Sequence, residues 1–284
     1  MWRLWLRSIA LLVILPMLLG MAPALAQEAT PISPSAEITT EVLATVRLPA
    51  DASPPLPAVF DVWLGSLVPG EELRFETGAA PPSIAADVML VGEYTVRSEG
   101  RLQVQQAAGL EEVPPGTVAT VRPGEAVIYV ENQAAQVLRN PGDETTQALG
   151  FGVFSAAPPS EITQGLVRQE DWERSGLAGQ DLLVSVERLT LPPGSSLPAF
   201  VPDVHAPRIF VVAEGVAQWA ILAPGRATPP AAVSFRREQA IPFQALREGE
   251  QLQLRNDEDR PLVLLQVTVS AGDAATPVAT TPLA

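Results

Sequence analysis

Apolar and polar residues alternate over short runs along most of the chain. Phe60, Val62 and Leu64 alternate with other side chains in the segment 60–65, and the segment 262–270 repeats this period of two. That period is typical of a strand with one buried face. The 29 prolines and 20 glycines interrupt the sequence so often that no long helical period is present. The pattern therefore predicts an all-β chain of short strands and turns.

The turn signals recur in a fixed order. The region 121–150 reads as strand, turn, strand, tight turn and strand, and its tight turn is Asn140–Glu144. Near the C-terminus, Asn256 leads into the turn Asp257–Pro261 and a last strand. Three pairs of landmarks recur in one order: Asn140 and Asn256, 116 residues apart, Gly100 and Gly215, 115 apart, and Pro69-Gly70 and Pro193-Gly194, 124 apart. These nearly constant offsets predict an internal duplication, with two copies of one all-β domain.

The first 26 residues have the pattern of a secretory signal peptide. Arg3 and Arg7 form a positive start, and Ile9–Leu19 is apolar. Ala24–Ala26 is a small-residue cleavage site. The alternative is an uncleaved anchor, because the 19 uncharged residues of Ser8–Ala26 are just enough to span a bilayer. Prolines within the segment and the cleavage site favour removal. We therefore predict a secreted, extracytoplasmic protein that meets the membrane only through this segment, if it is uncleaved.

The rest of the chain is predicted to form two domains with less ordered segments around them. The predicted boundaries are a linker at 27–57, a first domain at 58–155, a connector at 156–180, a second domain at 181–270 and a tail at 271–284. The linker and the tail are rich in Pro, Thr and Ala, so both are predicted to be disordered, apart from a short strand at Val42–Val46. The connector is predicted to hold one or two helical turns that begin at Ser160.

Composition excludes several classes of function. With 18 basic and 32 acidic residues the net charge is −14, and all the basic residues are Arg. Removal of Arg3 and Arg7 with the signal segment would make the charge −16, since −14 minus 2 is −16. Such an acidic chain is unsuited to nucleic acid. The absence of Cys and Lys excludes thiol and Schiff-base chemistry, and His205 is the only histidine.

Several of these landmarks together resemble the cupin family. The matching segments are Pro123–Glu125 with Asn140–Glu144, Leu191–Gly194, and Arg255–Leu262. The resemblance covers roughly residues 58–155 and 181–270. It implies two tandem jelly-roll barrels (double-stranded β-helices), that is, a bicupin. Cupins hold a divalent metal with three His and one Glu inside the barrel.

This sequence departs from that metal-binding pattern in both domains. In the first domain, Glu93 stands at the spacing of the family's Glu, but the paired His positions fall among Ala86–Met89, where only Asp87 can act as a ligand. Gln136 occupies the position of the last His. An inventory without imidazole could hold a hard cation weakly, but it does not suit the family's transition metal.

In the second domain, Arg208 stands where the family has Glu, and Leu252 where it has the last His. His205 lies near the paired-His region at a different spacing. We therefore predict degenerate metal sites, with no metal and no cofactor. An inward-pointing Arg208 needs a partner, which Asp203 or a bound carboxylate or sugar acid would provide.

Three functions remain open from the sequence. The first is a non-catalytic module of the cell envelope that binds a small molecule, a carbohydrate or a protein, or has a structural role. The second is an enzyme with a rebuilt site, formed by Asp87, Glu93 and Gln136 in one barrel or by Asp203, His205 and Arg208 in the other. The third is a fold relic whose barrels are filled with apolar side chains. A homodimer is possible in each case.

Overall fold

The computed structural model describes residues 37–78, 82–155, 165–224, 232–241, 243 and 246–272. Within them the chain is almost entirely β-structure, with a short 3₁₀ turn at Ala50–Ala52 and a helix, α1, at Gln169–Ser175. The strands are β1 Thr39–Leu48, β2 Val59–Leu67, β3 Glu72–Phe75, β4 Ser83–Val91, β5 Tyr94–Ser98, β6 Leu102–Gln106, β7 Gly109–Val113, β8 Val118–Val121, β9 Ala126–Tyr129, β10 Gln136–Arg139, β11 Thr146–Phe154, β12 Gly165–Val167, β13 Leu182–Leu191, β14 Arg208–Glu214, β15 Val216–Leu222, β16 Val233–Arg236, β17 Ala240–Ile241, β18 Gln251–Arg255 and β19 Leu262–Ala271.

The first barrel consists of two antiparallel sheets. The larger sheet has the strand order β12-β2-β11-β4-β9-β6-β7, and the smaller has the order β3-β10-β5-β8. Their facing sides enclose a core that includes Val59, Met89, Val96, Leu102 and Val127. Because successive side chains of a strand point to opposite faces, the intervening residues of the larger sheet point away from this core.

The second barrel repeats this design with fewer strands in the described residues. Its larger sheet has the order β1-β13-β19-β14-β17, and its smaller sheet the order β16-β15-β18. The core between them contains Leu191, Phe210, Trp219, Leu254 and Leu264. The prediction of an all-β chain with two tandem barrels is therefore confirmed.

The two larger sheets pack against each other and form a third core between the barrels. It combines Phe60, Val62 and Phe151 from the first barrel with residues of the second such as Val184 and Val267. The helix α1 adds Trp172, whose ring stacks on Phe60 with centroids 5.5 Å apart. Since the outer face of each larger sheet is apolar, the barrels bury each other's outer surface.

The first strand, β1, corrects the prediction of a mostly disordered linker at 27–57. The predicted short strand Val42–Val46 is the middle of a ten-residue strand, Thr39–Leu48. It pairs with β13 of the second barrel, although it precedes the first barrel in the chain. Val46 and Leu48 are fully buried in the core between the barrels. The alternation of these apolar residues favours a strand once a partner strand supplies the hydrogen bonds, which the composition of the segment does not reveal.

Other predicted segments lie partly or wholly outside the described residues. Residues 1–26 lie outside them, as do 27–36 and 273–284, so the signal peptide and the tail remain predictions. The predicted helix start at Ser160 lies outside them too. The connector contains α1, which begins at Gln169 and ends before Gly176, whose φ of 72° is the left-handed conformation that ends many helices.

The strand orders establish which positions of the two barrels correspond. Gly70 and Gly194 both have positive φ, 75° and 70°, in the turn that follows β2 and β13. The predicted equivalence of Gly100 and Gly215 is wrong. Gly215 connects β14 to β15 with φ 87°, and its counterpart is Gly92, which connects β4 to β5 with φ 70°. The sequence Ser-Glu-Gly at Gly100 resembles Ala-Glu-Gly at Gly215 by composition only.

Candidate functional site

Asp87 lies at the centre of the first barrel's interior. It belongs to β4, whose alternate residues Ala85 and Met89 face the same core. Its carboxylate Oδ2 accepts hydrogen bonds from the hydroxyl groups of Tyr129, at 2.9 Å, and Tyr94, at 3.1 Å. The two hydroxyl oxygens are 3.4 Å apart. All three side chains are buried, so the cluster is a closed polar group inside an apolar core.

Burial determines the protonation of this cluster. Desolvation raises the pKa of Asp87, and the hydrogen bonds from Tyr129 and Tyr94 oppose that rise in part. Burial, together with the nearby negative charge of Asp87, raises the pKa of both tyrosines well above its usual value. The phenols therefore stay protonated and act as donors, while the carboxyl group takes up a proton at a higher pH than a solvated aspartate does.

Trp63 fills the space beside Asp87. The cross-strand row is Trp63 of β2, Gly150 of β11 and Asp87 of β4. A Cβ atom at position 150 would lie 2.1 Å from Cε2 of the Trp63 indole, so the indole occupies the volume that a side chain would need there. The interior next to the carboxyl group is thus packed with the ring of Trp63, which also contacts Phe154 with centroids 5.9 Å apart.

Gln136 and Glu93 do not join Asp87 in a common site. Gln136 is buried, but its Nε2 donates to Oδ1 of Asn132 at 3.0 Å and to the carbonyl oxygen of Asn132 at 3.2 Å. Glu93 is on the surface, where its Oε2 lies 3.5 Å from Nε of Arg122. The first of the two rebuilt sites that the sequence suggested is therefore not assembled.

The second suggested site is not assembled inside its barrel either. Asp203, His205 and Arg208 are all exposed, at or just before the start of β14. The backbone amide of His205 donates to Oδ1 of Asp203 at 2.9 Å, and its ring Nδ1 lies 3.0 Å from the carbonyl oxygen of Ser175. The core between the two sheets of this barrel consists instead of apolar residues, including Leu252 at the position of the family's His. In the described part of the chain, Arg208 forms no ion pair with Asp203.

The residues present do not fit the metal that the family resemblance implies. Within the described ranges, no group of three or more His, Asp or Glu side chains could hold one metal ion. Asp87 is engaged by two tyrosines, Gln136 by Asn132, and Leu252 has no donor atom. This donor set offers neither imidazole nor converging carboxylates.

The sequence analysis missed Tyr94 and Tyr129. These are the only two tyrosines of the chain. Each lies two residues from a valine of its own strand, Val96 or Val127, and therefore faces the same core as that valine. A buried tyrosine hydroxyl needs a hydrogen-bond partner. Applied to both tyrosines, this requirement would have predicted a polar partner inside the barrel. Asp87, on a nearby strand, is that partner.

Comparison with known proteins gives structural neighbours only. No protein-family model matches the sequence, and no curated protein matches it. AerE from Microcystis aeruginosa is 12% identical with a TM-score of 0.38, over 84% of this chain and 94% of that chain. Vicilin from Solanum lycopersicum is 11% identical with a TM-score of 0.40, over 75% of each chain. The formate complex of oxalate decarboxylase from Lactobacillus farciminis is 12% identical with a TM-score of 0.37, over 80% of this chain and 81% of that chain.

Each of these TM-scores is below 0.5, so the evidence for the two-barrel architecture is the strand order and packing of the chain itself. The neighbours are proteins of the cupin family, the family that the sequence resembles.

Proposed function

We propose that this chain is a secreted, non-catalytic binding module built on two cupin-like barrels. The observation that supports it best is the closure of the Asp87 cluster. The carboxyl group inside the first barrel accepts hydrogen bonds from two protonated tyrosines and lies beside a packed indole. It therefore stabilises the barrel's own side chains rather than a substrate.

General acid or base catalysis requires direct access of the catalytic group to the reacting molecule, or access through one water. Asp87 is surrounded by buried residues such as Val96 and Met89, and its hydroxyl partners are equally buried. A raised carboxyl pKa often accompanies catalysis, but buried structural networks raise it too. Here the closed packing favours the structural role.

The second barrel supports the same proposal. Its core between the sheets consists of aliphatic and aromatic side chains such as Phe210, Trp219 and Leu254. Polar residues of its larger sheet, such as Glu187 and Gln266, are half-buried and therefore reach solvent, where they are suited to holding a ligand by hydrogen bonds. The barrel thus serves as a rigid support for a binding surface.

Secretion is the part of the proposal that rests on sequence alone. Residues 1–26 carry the signal-peptide pattern. Separately from this pattern, no helix of the described residues is long and apolar enough to cross a membrane. The intact mass of the protein recovered outside the producing cells tests it. We expect a chain that begins at Gln27. A protein that stays with the membrane at full length would contradict secretion.

The non-catalytic role is tested through the metal content, because the chemistry of the family depends on a bound metal. The protein is purified without chelator and incubated separately with iron, manganese, nickel and zinc, and the bound metal is then measured. We expect no near-stoichiometric metal in the parent or in Asp87→Asn, with Glu93→Gln as the exposed control. A stoichiometric metal that is lost in Asp87→Asn but kept in Glu93→Gln would overturn the proposal.

A further inference from the structure

The larger sheet of the second barrel carries two adjacent rows of polar side chains on the face that points into the barrel. Cross-strand pairing places Arg208, Thr268, Ser185 and Thr45 in one row, from β14 through β19 and β13 to β1. The next row contains Gln266 of β19 and Glu187 of β13. We call these six residues the polar rows. One residue pair further along, Leu189 and Leu264 belong to the apolar core under the smaller sheet.

Two residues of the polar rows occupy positions that an indole fills in the first barrel. By the correspondence of strands, Glu187 and Gln266 are the counterparts of Trp63 and Gly150. In the first barrel the half-buried indole of Trp63 covers the backbone of Gly150, whereas in the second barrel the half-buried polar side chains of Glu187 and Gln266 stand at these two positions. Hydrogen-bonding groups thus replace the packed ring at this place.

The side chains of the polar rows are suited to a ligand that is rich in hydroxyl groups. Thr45, Ser185 and Thr268 each offer a hydroxyl group that can both donate and accept. Nε2 of Gln266 donates to Oε2 of Glu187 at 2.9 Å and lies 3.4 Å from Oγ1 of Thr268, so the amide is already oriented. Its carbonyl oxygen and the second carboxylate oxygen remain acceptors for ligand hydroxyls.

Arg208 adds a positive charge at one end of the first row. Its side chain is exposed, and it forms no ion pair with any residue that the structure describes. Other arginines of the described residues, Arg236 among them, also form no ion pair there, but Arg208 is the one that lies in the polar rows. Its planar donors match a carboxylate in a bidentate arrangement. Charge complementarity thus indicates a ligand that carries a carboxylate at this end.

The size of the surface indicates a ligand of more than one ring. Four neighbouring strands spaced at about 4.8 Å span about 14 Å from Arg208 to Thr45. Val42 of β1 stands opposite Glu187 and is 58% exposed, so it offers an apolar contact at the far edge. Saccharides present hydroxyl groups and apolar C–H faces together, which matches this combination of side chains.

We propose that the polar rows bind an acidic oligosaccharide, with a uronic-acid carboxylate on Arg208 and sugar hydroxyls on the hydroxyl, amide and carboxylate groups of the other five residues. This ligand assignment rests on the proposed role as a binding module and makes that role more specific. It assigns the ligand class and the face of the second barrel that receives it.

The test measures binding of the purified protein to immobilised oligomers of galacturonate and of glucuronate, with fully methyl-esterified oligomers as neutral counterparts. We expect the parent to bind at least one acidic oligomer and not its ester. Arg208→Gln should weaken that binding by about tenfold or more, because a charge-assisted bidentate pair is lost. Thr268→Val should weaken it by a smaller factor with the charge intact.

Arg236→Gln is the matched control, because Arg236 is an exposed arginine on the smaller sheet of the same barrel, away from the polar rows. It should bind like the parent. The assignment is overturned if neither acidic oligomer binds, if esters bind equally well, or if Arg208→Gln and Arg236→Gln behave alike. These outcomes leave the non-catalytic role intact. Cleavage of a bound oligomer would instead contradict that role while leaving the site assignment in place.

Discussion

Asn140 and Asn256 make the same hydrogen bonds in the two barrels. The side-chain amide of Asn140 donates to the carbonyl oxygens of Leu67, at 2.9 Å, and Glu144, at 2.7 Å. That of Asn256 donates to the corresponding carbonyl oxygens of Leu191 and Arg260, at 2.9 and 2.8 Å. In each case Oδ1 accepts from the backbone amide two residues on, in Gly142 and Glu258. Both side chains are fully buried, so each locks the final turn to the strand that opens its barrel.

Replacement of either asparagine by alanine should destabilise the protein. Each substitution leaves two buried strand and turn carbonyls without their donor, which costs roughly 2–4 kcal/mol. Chemical denaturation should give similar losses for Asn140→Ala and Asn256→Ala. The matched control is Glu144→Ala, because Glu144 contributes its backbone carbonyl and has an exposed side chain. A loss no larger than that of the control would refute the locking role.

The duplication could be predicted from the sequence because its turn residues are dictated by backbone geometry. Gly70 and Gly194 need positive φ, and Asn140 and Asn256 need one side chain that both donates and accepts. The pairing of strands could not be predicted in the same way, because it depends on partner strands that are far away in the chain. Gly100 was matched to Gly215 by local composition, whereas the strand order shows that Gly92 is the counterpart.

The candidate site was predicted only in part for a similar reason. Asp87 was identified from the family spacing, and it does lie inside the barrel. Its partners, Tyr94 and Tyr129, come from other strands, and neither matches a motif. Arg208 was identified at a position of the metal motif, and its place in one row with Thr268 and Ser185 follows only from the register of β14, β19 and β13.

Because the ring of Trp63 packs on Gly150, the addition of one methyl group at position 150 should destabilise the protein. Gly150→Ala would place a Cβ 2.1 Å from the indole, so the ring must move within a full core. We expect a loss of about 1–3 kcal/mol in the free energy of unfolding, as for other overpacked cores. Gly65→Ala is the control, since its nearest neighbour would be the carbonyl oxygen of Ala148 at 3.9 Å. Equal behaviour of the two variants would mean that Trp63 is free to swing away.

Asp87 should make the stability of the protein depend on pH in a defined direction. Since burial raises its pKa, the folded state binds a proton there at a higher pH than the unfolded state does. Its contribution is therefore fully present below the unfolded pKa of about 3.9 and is lost as pH rises through the raised pKa. Asp87→Asn has no ionisable group at this position, so it does not show this loss of stability with rising pH. We expect the variant to gain stability relative to the parent as pH rises from about 4 to about 7.

Denaturation curves of parent and variant at several pH values in that window measure this difference. Glu93→Gln should run parallel to the parent, because Glu93 lies at the surface, where its Oε2 is 3.5 Å from Nε of Arg122. If Asp87→Asn also ran parallel to the parent, the carboxyl group would have the same proton affinity in both states, and the burial argument would fail.

The first strand should be as important for stability as the core of either barrel. Val46 is fully buried between the barrels, whereas Val42 in the same strand is 58% exposed. We expect Val46→Ala to cost roughly 2 kcal/mol, from lost apolar burial and the cavity it leaves. Val42→Ala should cost little. If the two variants were equally stable, residues 39–48 would not be a firm part of the second barrel in solution.

The pairing of β1 with β13 also has a consequence for the order in which the chain is made. Strand β1 leaves the ribosome before either barrel does. Its partner, β13, appears only with residues 182–191, since Leu48 pairs with Leu182. Closing so long a loop is entropically costly, and contacts distant in sequence form slowly. Residues 39–48 must therefore wait, unpaired and partly apolar, while the whole first barrel is synthesised. The first strand of the described residues thus completes a sheet of the second barrel, so a product truncated before residue 182 would expose an unpaired strand that is prone to pair with other chains.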